Sequence, residues 1–404
     1  MSSVLQRILI APSGFKESLD ANAVARAISW GVHRAIPGAV VKSVPIADGG
    51  EGTAATLAAA TGGMLVERTV TGPVGESVHS HFALLGGVAD GTAVVEMAAA
   101  AGLRLVPRDQ RDPGATTTYG VGELIAAAAE TGVTDILVGC GDSGTSDGGM
   151  GALQALGVRV LDAEGRDVAP GGAHLGEVDR LDLTDLTPAI AEGRVRLTLA
   201  LNPHNVLAGP RGVARVFGPQ KGASPEQVEQ LAAGFDNWAR VLQRDAVESA
   251  RSTNFFTGMG TGASGGLGAG MAAIGARLLP RFEALLDSGL AGIDLDRLVK
   301  GADLVITAEG AIDFQTPRGK VPAEVARRAS AYGVPVVGLA GTLGQGARDV
   351  HDIGIDAIAS IVAVPMSLQD AVEDGERLLT DATERIMRTL ALGVSMATAR
   401  HDDW

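Results

Sequence analysis

The chain has a single cysteine, Cys140, so no intramolecular disulfide can form, and a reducing compartment such as the cytoplasm is expected. Aromatic residues make up only 3% of its 404 residues, which leaves an aliphatic, alanine-rich core to do the packing. Positive charge is also short. Lysine and arginine number 33 against 47 acids, for a formal net charge of −14. With no stripe of basic residues, binding to DNA or RNA through a basic surface is excluded. No run of about 18 uninterrupted apolar residues occurs, and the apolar stretch between Met1 and Ile10 is too short for a secretory signal, so no membrane association is expected. The seven histidines are scattered. His79 and His81, two residues apart, fit the polar face of a half-exposed strand better than a metal pair.

What the chain does have is a series of short apolar runs, each emptying into a glycine-rich turn that carries a carboxylate or a lysine. Ile8-Leu9-Ile10 leads into Ala11-Pro12-Ser13-Gly14-Phe15-Lys16, and Val44-Pro45-Ile46 into Ala47-Asp48-Gly49-Gly50-Glu51. Ile136-Leu137-Val138 leads into the turn from Gly139 to Gly149, Leu304-Val305-Ile306 into Thr307-Ala308-Glu309-Gly310-Ala311-Ile312-Asp313, and Val336-Val337-Gly338-Leu339 into Ala340-Gly341. Buried parallel strands read this way, and open α/β sheets bind ligands at the carboxyl ends of such strands.

The first 70 residues read as strand, helix, strand, helix. Val24, Ala27, Ile28, Val32 and Ile36 recur at helical spacing, Ser18 or Asp20 is the expected N-cap, and Pro37-Gly38 ends the run. Character changes near Thr71-Gly72-Pro73, after which Ser77 to Leu85 alternates like an antiparallel strand. From about Asp287 strand and helix units return, with helices expected near 323–332 and 368–392. The fold class is therefore α/β: a Rossmann-like parallel-sheet domain built from residues 1–70 plus 287–404, with an inserted mixed α/β domain over 71–286. Such insertions are physically cheap because chain ends commonly lie close together. The run from Gly258 to Gly270 reads as a loop entering a helix, whose free amides suit an anion.

Gly139-Cys140-Gly141-Asp142-Ser143-Gly144 fits the G-x-G-x-x-G dinucleotide fingerprint, with Asp162 ending the next apolar run. Charge argues against an NAD-dependent dehydrogenase. Asp142 and Asp147 would both face the pyrophosphate, and like charges about 4 Å apart cost roughly 4 kcal/mol at an effective dielectric constant near 20. Carboxylates that hold Mg²⁺ or orient a hydroxyl, beside amides and Ser143 that touch phosphate oxygens, suit this loop better.

Taken together, five motifs resemble the type 1 glycerate kinase family over nearly the whole chain. They are Pro45-Ile-Ala-Asp-Gly-Gly-Glu-Gly-Thr53, Thr116-Thr-Thr-Tyr-Gly-Val-Gly-Glu-Leu124, Asp147-Gly-Gly-Met-Gly151 with Gln154-Ala-Leu-Gly157, Phe217-Gly-Pro-Gln-Lys-Gly-Ala223 and Gln315-Thr-Pro-Arg-Gly-Lys-Val-Pro322. The resemblance implies transfer of the γ-phosphoryl group of ATP to a hydroxyl of D-glycerate, giving 2-phosphoglycerate, on a Rossmann-like domain with an inserted mixed domain. Four departures stand out. Ser13-Gly14 replaces the usual Asp-Ser, Asp142-Ser143-Gly144 falls in a segment usually Gly-Ser-Ala-Thr-Asn, Asn202 replaces an aspartate, and Ala311 replaces an arginine. Arginine is suited to a bidentate grip on a carboxylate. Its loss makes a sugar acid, polyol or cyclitol an alternative acceptor, and a scaffold that only binds ligands is a third reading.

On this reading Asp313 accepts or orients the proton of the acceptor hydroxyl. Lys16 is the first candidate for the phosphates, Asp48 shares their rim, and Lys320 is the second basic candidate. Ser143, Gly144, Thr145, Gly260 and Gly262 are expected to bind the nucleotide, with Thr116 to Thr118 as weaker candidates. Ser13, Gly14, Asn202, Ala311, Gln315 and Thr316 are expected at the acceptor, and Glu309, Glu51 and Asp147 at Mg²⁺. All of these are expected to share one crevice between the domains. ATP, Mg²⁺ and a small-molecule acceptor are the expected ligands, and a homodimer is left open.

Overall fold

A computed structural model describes residues 5–15, 18–289 and 293–398. The chain forms two compact units, Met1–Asp48 with Asp294–Trp404, and Gly49–Ile293. Strands are numbered in chain order. The first unit contains β1 (Arg7–Ile10) and β2 (Val40–Ser43) and, after the excursion through β3 to β10, also β11 (Leu304–Ile312), β12 (Val336–Leu343) and β13 (Ala357–Ser360).

These five strands form one parallel sheet in the order β13-β12-β11-β1-β2. Both faces are covered, which is why Ile8, Leu9 and Ile10 are all buried despite the alternation of a strand. Ile8 and Ile10 share a core with Val24 and Ile28 of the helix Ala21–Ala35 and with Leu378 and Leu379 of the helix Gly375–Thr398. Asp20 caps the first of these helices, its side chain accepting from the Ala23 amide at 2.8 Å.

The order of strands in this sheet reverses between β1 and β11: β1 is followed by β2 on one side, and β11 by β12 and β13 on the other. Ligands of open α/β sheets bind outside the carboxyl ends of the strands at such a reversal. Here the pairing continues past the strand ends. The amide of Ser13 donates to Ala308 O at 2.9 Å, and that of Ile46 to Pro12 O at 2.8 Å. The segments after β1, β2 and β11 therefore run side by side.

The second unit contains β3 (Met64–Thr71), β4 (Ser77–Leu84), β5 (Thr92–Glu96), β6 (Asp135–Gly139), β7 (Arg159–Leu161), β8 (Arg180–Asp182), β9 (Arg196–Leu201) and β10 (Arg277–Pro280). Six of them make a mixed sheet in the order β10-β9-β6-β5-β4-β3, in which β3, β4 and β5 pair antiparallel and the rest parallel; β7 and β8 form a separate pair. The boundary differs from the sequence expectation. The crossing comes at Gly49 rather than residue 71, because β3 is the antiparallel edge of this second sheet. The helix Thr53–Thr61, which reads locally as the fourth element of a Rossmann run, packs against β3, β4 and β5. The return comes at Asp294 rather than 287. Among the described residues no helix is long and apolar enough to cross a membrane.

The core of this unit is aliphatic except for a few large rings, and the largest fully buried side chain is Trp238. It lies on the helix Pro225–Asp245, whose N-cap Ser224 accepts from the Gln227 amide. Its indole Nε1–H donates to Gly148 O at 3.0 Å. A Cβ at Gly148 would lie 2.5 Å from that nitrogen, and the backbone there has φ of 68°, so only glycine fits under the ring. Trp238→Phe keeps most of the apolar area but leaves this carbonyl unpaired. Urea unfolding is expected to show a loss of about 1–3 kcal/mol; a loss below about 0.5 kcal/mol, the range of surface substitutions, would contradict the account.

Candidate active site

In the first unit the end of β11 turns through the 3₁₀ turn Thr316–Arg318 into the helix Val321–Ala331, with Lys320 as its N-cap residue. This short path folds three charges onto one another. Lys320 Nζ lies 3.3 Å from Glu309 Oε2 and 3.5 Å from Asp313 Oδ1, and it donates to Ala311 O at 3.3 Å. Thr316 Oγ1 donates to Glu309 Oε1 at 2.5 Å. Glu309 is buried, and burial raises its carboxyl above the usual range, opposed by Thr316 and by Lys320. Asp313 is more open, with 23% of its side chain exposed. Its Oδ1 also accepts from the Gln315 amide at 2.8 Å, and its own amide donates to Thr316 Oγ1.

Of the residues expected from the sequence, Glu309, Ala311, Asp313, Gln315, Thr316 and Lys320 therefore belong to one turn. Ser13 joins it through its hydrogen bonds to Ala308 O, from its amide and from Oγ at 3.1 Å. Gly14 follows directly, and Asp48, half-buried, lies two residues past the Ile46 that pairs with Pro12. Lys16 lies outside the described residues.

In the second unit Ser143, Gly144, Thr145 and Asp147 sit on the loop after β6, and Asn202 on the segment after β9. Asn202 follows β9, and its Oδ1 accepts from the His204 amide at 3.0 Å. The glycine-rich turn packs on this segment, with the Gly260 amide donating to Pro203 O and the Gly262 amide to Asn205 O. The helix Ala263–Ala273 begins with three left-handed residues, Ser264, Gly265 and Gly266, at φ of 51°, 67° and 93°. A Cβ at Gly265 would lie 2.0 Å from Thr145 O. The glycines thus let this turn press against the loop after β6.

That loop is anchored by Asp147. The residue is fully buried. Its Oδ2 accepts from the Thr118 amide at 2.7 Å, from Thr118 Oγ1 at 2.8 Å and from the Gly151 amide at 3.2 Å, while Oδ1 accepts from the Gly149 amide at 3.1 Å. Burial raises its carboxyl above the usual range against these bonds. Proposed from sequence as a metal ligand, Asp147 has both oxygens committed to the protein, and Thr118 is its partner. Glu51 is exposed and paired with Arg104 at 2.6 Å. Among the described residues no three acids, histidines or cysteines cluster as a ready-made metal cage. Cys140 is half-buried, and desolvation pushes its thiol up to about 12, which disfavours the thiolate.

Sequence reasoning assigned no role to Lys221, although it lies within the Phe217 to Ala223 motif. The structure buries it to 2% exposure, and its Nζ donates to Ser143 Oγ at 2.9 Å and to Thr145 O at 2.5 Å. Ser143 is half-buried, whereas Gly144 and Thr145 are buried behind it. The contact spans 78 positions, so spacing along the chain carries no trace of it.

The chain is similar to known proteins over nearly its whole length. The model of the Glycerate kinase family matches residues 8–391. The glycerate kinase of Bacillus subtilis (strain 168) is 43% identical over 396 residues, covering 97% of this chain and 98% of that one. The glycerate 2-kinase of Escherichia coli (strain K12) is 40% identical over 393 residues, covering 97% and 100%. A crystal structure described as glycerate kinase 2 from Salmonella typhimurium LT2 superposes with a TM-score of 0.81 at 39% identity, covering 97% of this chain and all of that one. None of these favours a polyol, a cyclitol or a dehydrogenase.

Burial lowers the Lys221 ammonium from 10.5 to about 7, with the negative charge of Asp147 opposing the shift. Between pH 7 and 10.5 the unfolded chain therefore binds more protons than the folded one, and the penalty of burying this lysine fades as pH rises through that window. Lys221→Met removes the titration. In urea unfolding from pH 7 to pH 9.5, the wild type is expected to gain stability relative to the variant, by about 1 kcal/mol per pH unit. A parallel pair of curves would contradict the burial.

Proposed function

The chain belongs to the glycerate kinase family, and on that footing we propose how its residues divide the work. The protein is a phosphotransferase that moves the terminal phosphoryl group of ATP to a hydroxyl of glycerate, with 2-phosphoglycerate as product. Phosphoryl transfer asks a protein mainly to hold two oxygens in line and to neutralise charge on the moving group. The observation that carries our reading of the site is Lys320 held between Glu309 and Asp313 at the start of a helix.

Asp313 is the general base. It is the more open of the two carboxylates, sits past the end of β11, and is held in orientation by the Gln315 amide. Lys320 binds phosphate oxygens, aided by the positive end of the helix Val321–Ala331 behind it. Lys16, the first phosphate candidate from the sequence, lies outside the described residues. Ser13, Gly14, Gln315 and Thr316 border the acceptor, and Ala311 contributes its carbonyl to Lys320 rather than a charge to the substrate. In the second unit Ser143, Gly144, Thr145, Gly260, Gly262 and Asn202 present groups suited to ligand oxygens and hydroxyls.

Mg²⁺ fits the charge of the first site. Two carboxylates beside one lysine leave a net negative charge there, which would repel a nucleotide tail that arrived without a divalent cation. Asp48 is the residue that would hold the ion directly, and Glu309, whose oxygens already face Thr316 and Lys320, would reach it only through water. When bound, it supplies neutralisation of the β- and γ-phosphate oxygens. Asp147 and Glu51 are left to anchor their own loops. A single cysteine and dependence on ATP fit work in the cytoplasm.

The reaction is tested by incubating the purified protein with Mg·ATP and D-glycerate and reading ADP release together with the ³¹P spectrum of the product. Appearance of 2-phosphoglycerate supports the assignment; no ADP release above background contradicts it. Asp313→Asn is expected to lower kcat by about two orders of magnitude or more while the fold survives, as read by circular dichroism. Turnover near that of the wild type would remove Asp313 from the mechanism.

A further inference from the structure

Lys221 stands out among the buried ionisable groups because what it touches is neutral. Its Nζ donates to a serine hydroxyl and a backbone carbonyl, and among the described residues no carboxylate lies within ion-pair distance of it. A buried cation whose nearest negative charge, Asp147, lies beyond ion-pair distance is costly. The drop in its proton affinity to about 7 is the local response to that cost. A chain that keeps a lysine in such a place gains from it when negative charge arrives from outside.

The hydrogen-bond directions say where that charge would sit. Because Lys221 Nζ–H points at Ser143 Oγ, the serine's own hydrogen is turned away from the lysine, and Ser143 is half-buried, between the exposed Asp142 and the buried Gly144. A hydroxyl that accepts from a cation is also a stronger donor, since each bond polarises the next. On the same loop Thr145 Oγ1 and Ser146 Oγ are buried and have no hydrogen-bond partner among the described residues. Unsatisfied buried hydroxyls in a native fold call for an explanation, and a ligand oxygen supplies one. Trp238 and Asp147 fix the backbone that follows, at Gly148 and Gly149, so the end of the loop is already set.

We propose that Ser143 and Lys221 form an oxyanion subsite, in which the Ser143 hydroxyl touches a carboxylate or phosphate oxygen of one substrate and Lys221 is the residue that positions that hydroxyl. This rests on the kinase reading above and extends it by giving the buried lysine a task. Glycerate brings a carboxylate and ATP brings phosphates. The chemistry is shared, and kinetics separates the two sources.

The test uses Ser143→Ala, Lys221→Met and the double variant, with glycerate varied at saturating Mg·ATP and then ATP varied at saturating glycerate. Each single variant is expected to raise the KM for one substrate about ten-fold or more, with kcat within about three-fold of wild type. A rise confined to glycerate assigns the carboxylate, and a rise confined to ATP assigns a phosphate. The double variant is expected to match Ser143→Ala, because the lysine acts through the serine. Additive effects, or a fall in kcat with both KM values unchanged, would overturn the proposal and leave Lys221 a structural residue. Should Lys221→Met fail to fold, Ser143→Ala decides alone, since it removes only the outer hydroxyl: unchanged KM values for both substrates sink the proposal. Failure of the kinase reading itself shows separately, as a folded wild type that turns over no glycerate. Calorimetric titration of that same wild type and of Ser143→Ala with ATP and with glycerate then reads the subsite without turnover: loss of affinity for one anion in the variant sustains it, and equal affinities overturn it.

Discussion

One lysine held against two carboxylates is the interaction on which the first site depends. Lys320 lies within 3.5 Å of both Glu309 and Asp313, and at an effective dielectric constant near 20 each such contact carries roughly 4–5 kcal/mol of gross attraction. Much of that is spent on removing Glu309 from water, and its raised carboxyl shows the residue of the cost. The arrangement persists because Thr316 takes one oxygen of Glu309 while Lys320 faces the other. What remains is an oriented, incompletely neutralised set of charges at the end of a parallel strand. Such a set is poorly suited to packing and well suited to receiving a charged ligand.

The second unit solves a related problem with fewer charges. Asp147 is consumed by holding the loop after β6 to Thr118 and to the start of the next helix. Once that loop is fixed, the glycines opposite it allow the backbone of the turn 262–266 to approach to contact distance. Lys221 then enters from a different segment and reaches the loop's partly exposed hydroxyl from behind. Carboxylate, glycine and lysine each do a different part of one task, which is to present hydroxyls and amides in a rigid frame.

How much of this was legible in the sequence follows from how local each contact is. The parallel strands and their carboxyl-end turns could be read directly, since burial on both faces forces continuous apolar runs. Glu309, Asp313, Thr316 and Lys320 came out together because they lie within a dozen positions and one strand-turn-helix unit brings them into contact. Asp147 is the opposite case. Its glycine-rich surroundings resemble an ion site, but its donors come from Thr118 as well as from Gly149 and Gly151, and a carboxylate's remote partners leave no mark beside it. Lys221 was passed over because burial of a lysine cannot be seen in a polar, glycine-flanked motif. The domain boundary moved to Gly49 because the helix Thr53–Thr61 has the composition of a Rossmann helix, and only the antiparallel pairing of β3 with β4 assigns it elsewhere.

On the proposed mechanism Lys320, positioned by Glu309 and Asp313, meets the phosphoryl group in flight. Rapid-quench single turnover of Lys320→Met with Mg·ATP and glycerate tests this most directly, because it isolates the transfer step from binding and product release. The account predicts a transfer rate lower by about two orders of magnitude or more at saturating concentrations of both substrates. A transfer rate equal to that of the wild type would contradict it.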